Sequence, residues 1–263
     1  MKRFSLILFI DILVQFASAQ PFDSIPNMVF RRGEKLDYRV YFRSFITGRV
    51  YAGEITLQIR DTDRKFNGRD TYDIELSGKS RKSFHWFIKV EDKFESFVDE
   101  KSLFPWYFIR QTREGHFTKD DEVVFLPDSN LARSRYTVKK IPPRVQDIVS
   151  AYYFARLTSL TNLSPGKDFS VPIFYEDSVF NSQVKCIERE TIRTRLGNIN
   201  CLEIRPMVRV GKVFSDRFPM TVWISDDENK IPVLVKAALS FGRVEIELVE
   251  SSGLANPLLS KEE

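Results

Sequence analysis

The sequence predicts a mainly β protein: a strongly curved antiparallel sheet, or an incomplete β-barrel, with one buried helix over about residues 147–160. Three features of the pattern lead there. Several stretches alternate apolar and polar residues with a period of two. Leu36, Tyr38, Val40 and Phe42 against Lys35, Asp37, Arg39 and Tyr41 mark a strand with one face in water. Other stretches are apolar on both sides, namely Ser83–Val90, Trp106–Ile109 and Val233–Val235, and such strands need cover on both faces. Only Asp147–Leu160 reads as a convincing helix. Asp147 suits the N-cap or first turn, residues 148–155 are apolar almost all round, and Asn162, Pro165 and Gly166 end the segment.

Taken in order, residues 20–32 carry two prolines without periodicity and read as a loose lead-in. Regular structure starts at Gly33. After a turn at Gly48, Ile55, Leu57 and Ile59 alternate with polar neighbours, Asn67-Gly68 is a hairpin turn signal, and Tyr72, Ile74 and Leu76 continue the meander. Val123–Arg144, with Pro127, Pro142 and Pro143, reads as an edge strand and a long connection. Strands return from Phe169 to Leu248, and residues 251–263 have no pattern and are expected to be a flexible tail. The expected organisation is a single β domain over 33–250, with halves 33–140 and 168–250 joined by the helix.

The two halves share a hairpin. Met220–Leu239 (MTVWISDDENKIPVLVKAAL) runs strand, acidic turn, Pro232, strand, and Phe97–Arg110 (FVDEKSLFPWYFIR) repeats that order. Laying Pro105 on Pro232 puts Asp99 on Asp226, Glu100 on Asp227 and Phe104 on Ile231. This suggests related halves, although any two antiparallel hairpins share some likeness.

A chain of 263 residues is long enough to bury a core without disulfides. Lys2 and Arg3, the apolar run Phe4–Phe16 and Ala17-Ser18-Ala19 predict a cleaved signal peptide over 1–19, with Asp11 as its blemish. An anchor helix is the alternative, opposed by Asp11 and by the shortness of the run. No later stretch is long and apolar enough for a transmembrane span. Cys186 and Cys201 are expected to be free thiols, because the hairpin turning at Leu196-Gly197-Asn198 places Cys201 near Ile192 and far from Cys186. Basic and acidic residues interleave along the strands instead of forming a run, which argues against a nucleic-acid footprint.

No catalytic motif stands out. His85 and His116 are the only histidines and lack metal-ligand spacing, so neither metal nor cofactor is expected. Asp226–Asn229 fails the calcium-loop pattern, because Ile231 stands where glycine is needed, and the turn reads as a solvated tip. Glu188 and Glu190 share a strand face with Val184, Cys186 and Ile192, and a carboxylate such as Glu190 is the place to look for hydrolase chemistry. With 23 phenylalanines, the doubly apolar strands supply either a large core or an apolar cavity under the curved sheet. Trp86, Trp106, Tyr152, Phe154 and Trp223 are the residues expected to line that core or cavity.

Several stretches together, GEKLDYRVYF, AGEITLQI, VEDKFESFVDEKSLFP, QDIVSAYYFAR, RETIRTRLGNINC and VWISDDENKIPVLVKA, resemble the exported bacterial family of unknown function DUF3108 over about Arg32–Val249. That resemblance implies a periplasmic or envelope-associated location in a Gram-negative bacterium and supplies no catalytic residues. The hairpin Trp223-Ile224-Ser225-Asp226 with Ile231-Pro232 is distantly similar to one in the LolA/LolB-type lipoprotein carriers, half-open barrels with helices plugging an apolar cavity. The expected function is therefore that of a non-enzymatic envelope protein binding a lipid, a lipoprotein or another apolar ligand. The alternatives are a structural or assembly partner of another envelope protein, and a periplasmic hydrolase with paired carboxylates.

Overall fold

The computed structural model describes residues 24–46, 48–158, 163–208, 216–239 and 242–261. The first half of the chain forms β1 (Lys35–Ser44), β2 (Gly48–Arg60), β3 (Lys65–Phe66), β4 (Arg69–Ser80), β5 (Glu91–Asp99), β6 (Pro105–Glu114), β7 (Phe117–Leu126), β8 (Leu131–Ser134) and β9 (Val138–Lys140). Helix α1 (Ser150–Thr158) follows. Then come β10 (Phe169–Tyr175), β11 (Ser178–Thr194), β12 (Gly197–Pro206), β13 (Met220–Ser225), β14 (Pro232–Leu239), β15 (Gly242–Ser252) and β16 (Ser260–Lys261). No helix among the described residues is long and apolar enough to cross a membrane.

The strands form one 16-stranded sheet in the order β10-β11-β12-β13-β14-β15-β1-β2-β4-β5-β6-β7-β8-β9, with β3 added beside β4 and β16 beside β12. Every named pair is antiparallel, and the ladder of β15 with β1 welds the end of the second half to the start of the first. The sheet curves but does not close. Its edges, β9 and β10, are the strands that flank α1 in sequence, and Gln146 just before the helix bonds Pro172 O and Phe174 N of β10. The exposed edge β9 is short and carries Lys139 and Lys140, a pattern that discourages pairing with another chain.

The period-two stretches become strands with Leu36, Tyr38, Leu57, Ile59 and Ile74 turned into the concave core. On the convex side, charged residues pair across strands: Arg60 of β2 meets Asp73 and Glu75 of β4 and Glu95 of β5. The doubly apolar β6 has its outer cover in the β3–β4 hairpin, where the Phe66 ring stacks on Trp106 at 6.2 Å.

Four expectations need correction. The helix is the nine residues Ser150–Thr158, and Asp147 stands before it as the cap. Asp147 Oδ1 accepts Val149 N and Ser150 N at 2.8 and 2.9 Å, while Ser150 Oγ accepts Asp147 N at 2.9 Å. Residues 159 and 160 lie outside the described residues. The lead-in is not loose over 24–32. Asn27 Oδ1 accepts Val29 N and Phe30 N, and both Val29 and Phe30 are buried in the core. The tail is not free either, since Asn256 bonds Met28 and Asn229, Leu259 N bonds Asp227, and β16 pairs with β12. Consequently the acidic turn is no solvated tip. Asp227 and Asn229 are buried under the tail, and Asp227 Oδ1 accepts Ser225 Oγ, Asn229 N and Lys230 N.

The echo between the hairpins holds with a shift of one residue. Asp99 N bonds Phe104 O in the first and Ser225 N bonds Ile231 O in the second, so Asp99 matches Ser225, and the second turn is one residue longer. The expected leader falls on residues 1–19, outside the described residues.

Candidate functional site: an apolar cavity beside a buried ion pair

Helix and strands differ in reach. Nine helical residues rise about 14 Å, whereas the 13 residues of β2 run about 43 Å. One helix therefore fills only part of the concave face. Where it lies, the core closes. Arg156 and Glu34 are both fully buried and joined by two hydrogen bonds, at 2.5 and 3.0 Å. Arg156 also donates Nε to Asn229 O at 2.8 Å and one guanidinium N–H to Val29 O. The Tyr153 hydroxyl donates to Glu34 at 3.2 Å. One guanidinium thus ties the helix to the lead-in, to β1 and to the acidic turn. Beside it, Tyr38 Oη and Tyr152 Oη are buried without a hydrogen-bond partner among the described residues, and burial holds both phenol pKa values above the ordinary range.

Beyond the end of the helix the concave face stays open. Val40 and Phe42 of β1, Ala52 and Ile55 of β2, Leu76 of β4, Phe94 of β5 and Val244 of β15 line a cavity of about 460 Å³. These are the same inward positions that form the core lower down, yet Val40, Ile55, Leu76, Phe94 and Val244 are only half-buried. Gly78 also lines it, and a Cβ there would meet Ile55 Cγ1 at 3.7 Å, so a side chain at 78 would project into the space. Gly53 is the opposite case: a Cβ would lie 2.5 Å from the Lys79 carbonyl oxygen, which lets β2 bend close to β4 at the cavity wall.

The lid comes from the segment after β4. Ser83–Val90, expected as a strand with two buried faces, is instead a 3-10 turn over Lys82–Phe84 followed by an irregular return. Phe84 points inward, against Phe42 at 5.9 Å, and Phe87 stacks on Phe42 at 5.4 Å. The segment is apolar on both sides because one side faces the cavity and the other faces out at its mouth. Three carboxylates border the cavity, Glu54, Asp92 and Glu114, and Glu54 pairs with Lys79. Glu114 is itself exposed at the end of β6, and partial desolvation at the cavity wall, then the charge of Asp92, raise its carboxyl above the usual range. Asp92 in turn accepts Arg113 N at 2.9 Å.

The five expected lining residues scatter. Trp86 is not in the core: it is 69% exposed, because the turn carries it outward beside Phe84 and Phe87. Trp106 is 3% exposed and packs between Phe66 and Phe104. Phe154 joins the main core, and Tyr152 packs against that core beside Arg156. Trp223 is 8% exposed in a separate cluster with Ile199, Cys201 and Val233, and donates Nε1 to Glu190. Trp106, Phe154, Trp223 and Tyr152 thus pack in or against the core, Trp86 does not, and the cavity is lined by other residues. Sequence reading passed over those residues, Val40, Ile55, Leu76, Phe94 and Val244, since inward apolar strand positions look alike whether a helix covers them or not.

Glu190 is exposed and stands opposite Cys201 in the ladder, so the thiol lies two residues from the expected register. Cys186 and Cys201 are free and buried, and burial raises both thiol pKa values, Cys201 to about 12.

The family described as protein of unknown function DUF3108 matches residues 37–249. Among solved structures, the β-barrel-like DUF1849 protein of Brucella abortus aligns over 86% of this chain and 99% of its own, at 9% identity and a TM-score of 0.55, which is a likeness of fold. A candidate lipoprotein of Parabacteroides distasonis ATCC 8503 aligns over 88% of this chain and 99% of its own, at 11% identity and a TM-score of 0.36. No curated protein matches the chain.

Proposed function

The chain belongs to the DUF3108 family, and from that premise we propose that it is a non-catalytic binding protein of the cell envelope that holds an acyl chain or similar apolar ligand under its sheet. One observation carries the reading: inward-facing apolar side chains of five strands stay half-buried around about 460 Å³ of open space beyond the helix. That volume is in the range of small-molecule sites. Each methylene removed from water contributes about 0.8 kcal/mol, so an apolar cleft of this size favours an apolar occupant. The carboxylates at its border would keep an anionic headgroup out of the cavity and at the mouth.

The placement in the envelope rests on the leader expected over 1–19. The hydrolase alternative draws no support from Glu190, which is occupied by Trp223 Nε1–H. Titration with a fluorescent acyl probe tests the binding reading. Wild-type protein should bind the probe, and Gly78→Phe, which fills the space from a position with room for a side chain, should lose it while remaining folded. Failure of the wild-type protein to bind any acyl probe would refute the reading.

A further inference from the structure

We propose that the rim around the cavity mouth docks on an anionic lipid bilayer. The inference goes beyond ligand binding and does not depend on the cavity being filled. Three segments meet at this end of the sheet. The β1–β2 turn carries Phe45 and Ile46, both fully exposed. The lid carries Trp86 and Phe87, 69% and 44% exposed. The start of β15 joins them through the register of Arg43 with Arg243 and through Gly242, whose Cβ position would lie 2.7 Å from the Phe42 ring. Phe87 stacks on Phe42, so lid and β1 hold their apolar tips side by side.

The segments that carry these tips are basic, while the carboxylates Glu54, Asp92 and Glu114 lie deeper, along the cavity wall. Residues 43–53, 78–90 and 236–244 contain Arg43, Arg49, Lys79, Arg81, Lys82, Lys89, Lys236 and Arg243, and no Asp or Glu. Along the sequence these cations belong to stretches that soon turn acidic, at Glu54, Glu91 and Glu245, and only the fold gathers them. Arg49 reaches back to Glu245 and Glu247, Lys79 pairs with Glu54 and Lys89 with Glu91. Arg43, Lys82 and Arg243 have no carboxylate partner among the described residues. Protruding apolar side chains inside a ring of cations match the chemistry of an anionic bilayer surface: the tips enter the acyl boundary while the cations meet the headgroups. The same charge argues against a second copy of this chain as the occupant, since a symmetric contact would press cations against cations.

The test is co-sedimentation of the full chain with vesicles of phosphatidylcholine alone and of phosphatidylcholine with phosphatidylglycerol. Tryptophan emission is followed in parallel, with and without brominated lipid. Trp86 is the exposed tryptophan, and Trp106 and Trp223 are buried, so a blue shift and quenching report on the rim. The proposal expects binding to the anionic vesicles that weakens as salt is raised. The double variant Phe45→Ser, Ile46→Ser, placed in an exposed turn, should weaken it by at least about tenfold. Lys82→Ala should weaken it by about fivefold, the effect of one cation at an anionic surface. Absence of binding to anionic vesicles overturns the proposal. So does binding that the double variant leaves intact, or a wild-type dimer that the double variant dissociates. Gly78→Phe should keep vesicle binding, so failure of the cavity reading and failure of this one are separately visible.

Discussion

Arg156 of α1 and Glu34, 122 residues apart in sequence, form an ion pair with no solvent exposure at either side chain. The pair holds the helix against β1, and Asn229 O and Val29 O take up further guanidinium hydrogens. Where this helix lies decides where the concave face is filled and where it is left open.

Removing one partner leaves the other charge buried and uncompensated, which costs about 3–5 kcal/mol. Arg156→Ala and Glu34→Ala should each lower stability by that amount in urea titrations. Replacing both with apolar residues should cost less than the sum of the two single changes.

Tyr38 and Tyr152 put hydroxyls into the same region without partners. A buried donor without an acceptor costs about 1–3 kcal/mol. Tyr38→Phe should therefore leave stability unchanged or raise it. A clear loss of stability in that variant would mean that the hydroxyl is satisfied, by water or by a ligand.

Asp147 caps α1 and also accepts the Ser96 hydroxyl at 2.6 Å, with every participant buried. Asp147→Ala should cost about 2–4 kcal/mol, more than an exposed cap, because it removes the cap and strands the hydroxyl of Ser96. Calorimetry or denaturant unfolding measures it, and Asp147→Asn should cost less.

Glu114 gives a pH dependence of defined sign. Its folded-state pKa is raised, by partial desolvation and then by Asp92, and because the residue is exposed the effect is small. The protonated form is therefore favoured by folding. That contribution is complete below the ordinary glutamate value and is lost as pH rises through the folded-state value. Glu114→Gln should remove this dependence. Relative to wild type, the variant should gain stability on moving from mildly acidic to neutral pH.

How much of this was legible in the sequence follows from what each pattern encodes. Alternation in Lys35–Phe42 reports one wet and one dry face, and the strand forms as read. The same alternation carries no information on what covers the dry face, so Leu36 in the core and Val40 at the cavity look equivalent. Ser83–Val90 misled because a strand buried on both faces and a turn at a cavity mouth have the same composition. Arg156 reads as the one charged residue on an otherwise mostly apolar helix. Its burial depends on Glu34, Val29 and Asn229, which chain folding brings together and local pattern does not mention. Asp227 and Asn229 have the composition of a wet turn and are buried only because residues 256–259 cross over them.

The central claim is that the open part of the concave face holds an apolar ligand. Native mass spectrometry of the gently purified full chain tests it most directly, with Gly78→Phe prepared in parallel. The account predicts a lipid-sized mass that stays with the wild-type protein, is released on denaturation, and is missing from the folded variant. Wild-type protein that carries no such mass and takes up none when incubated with lipid would contradict it.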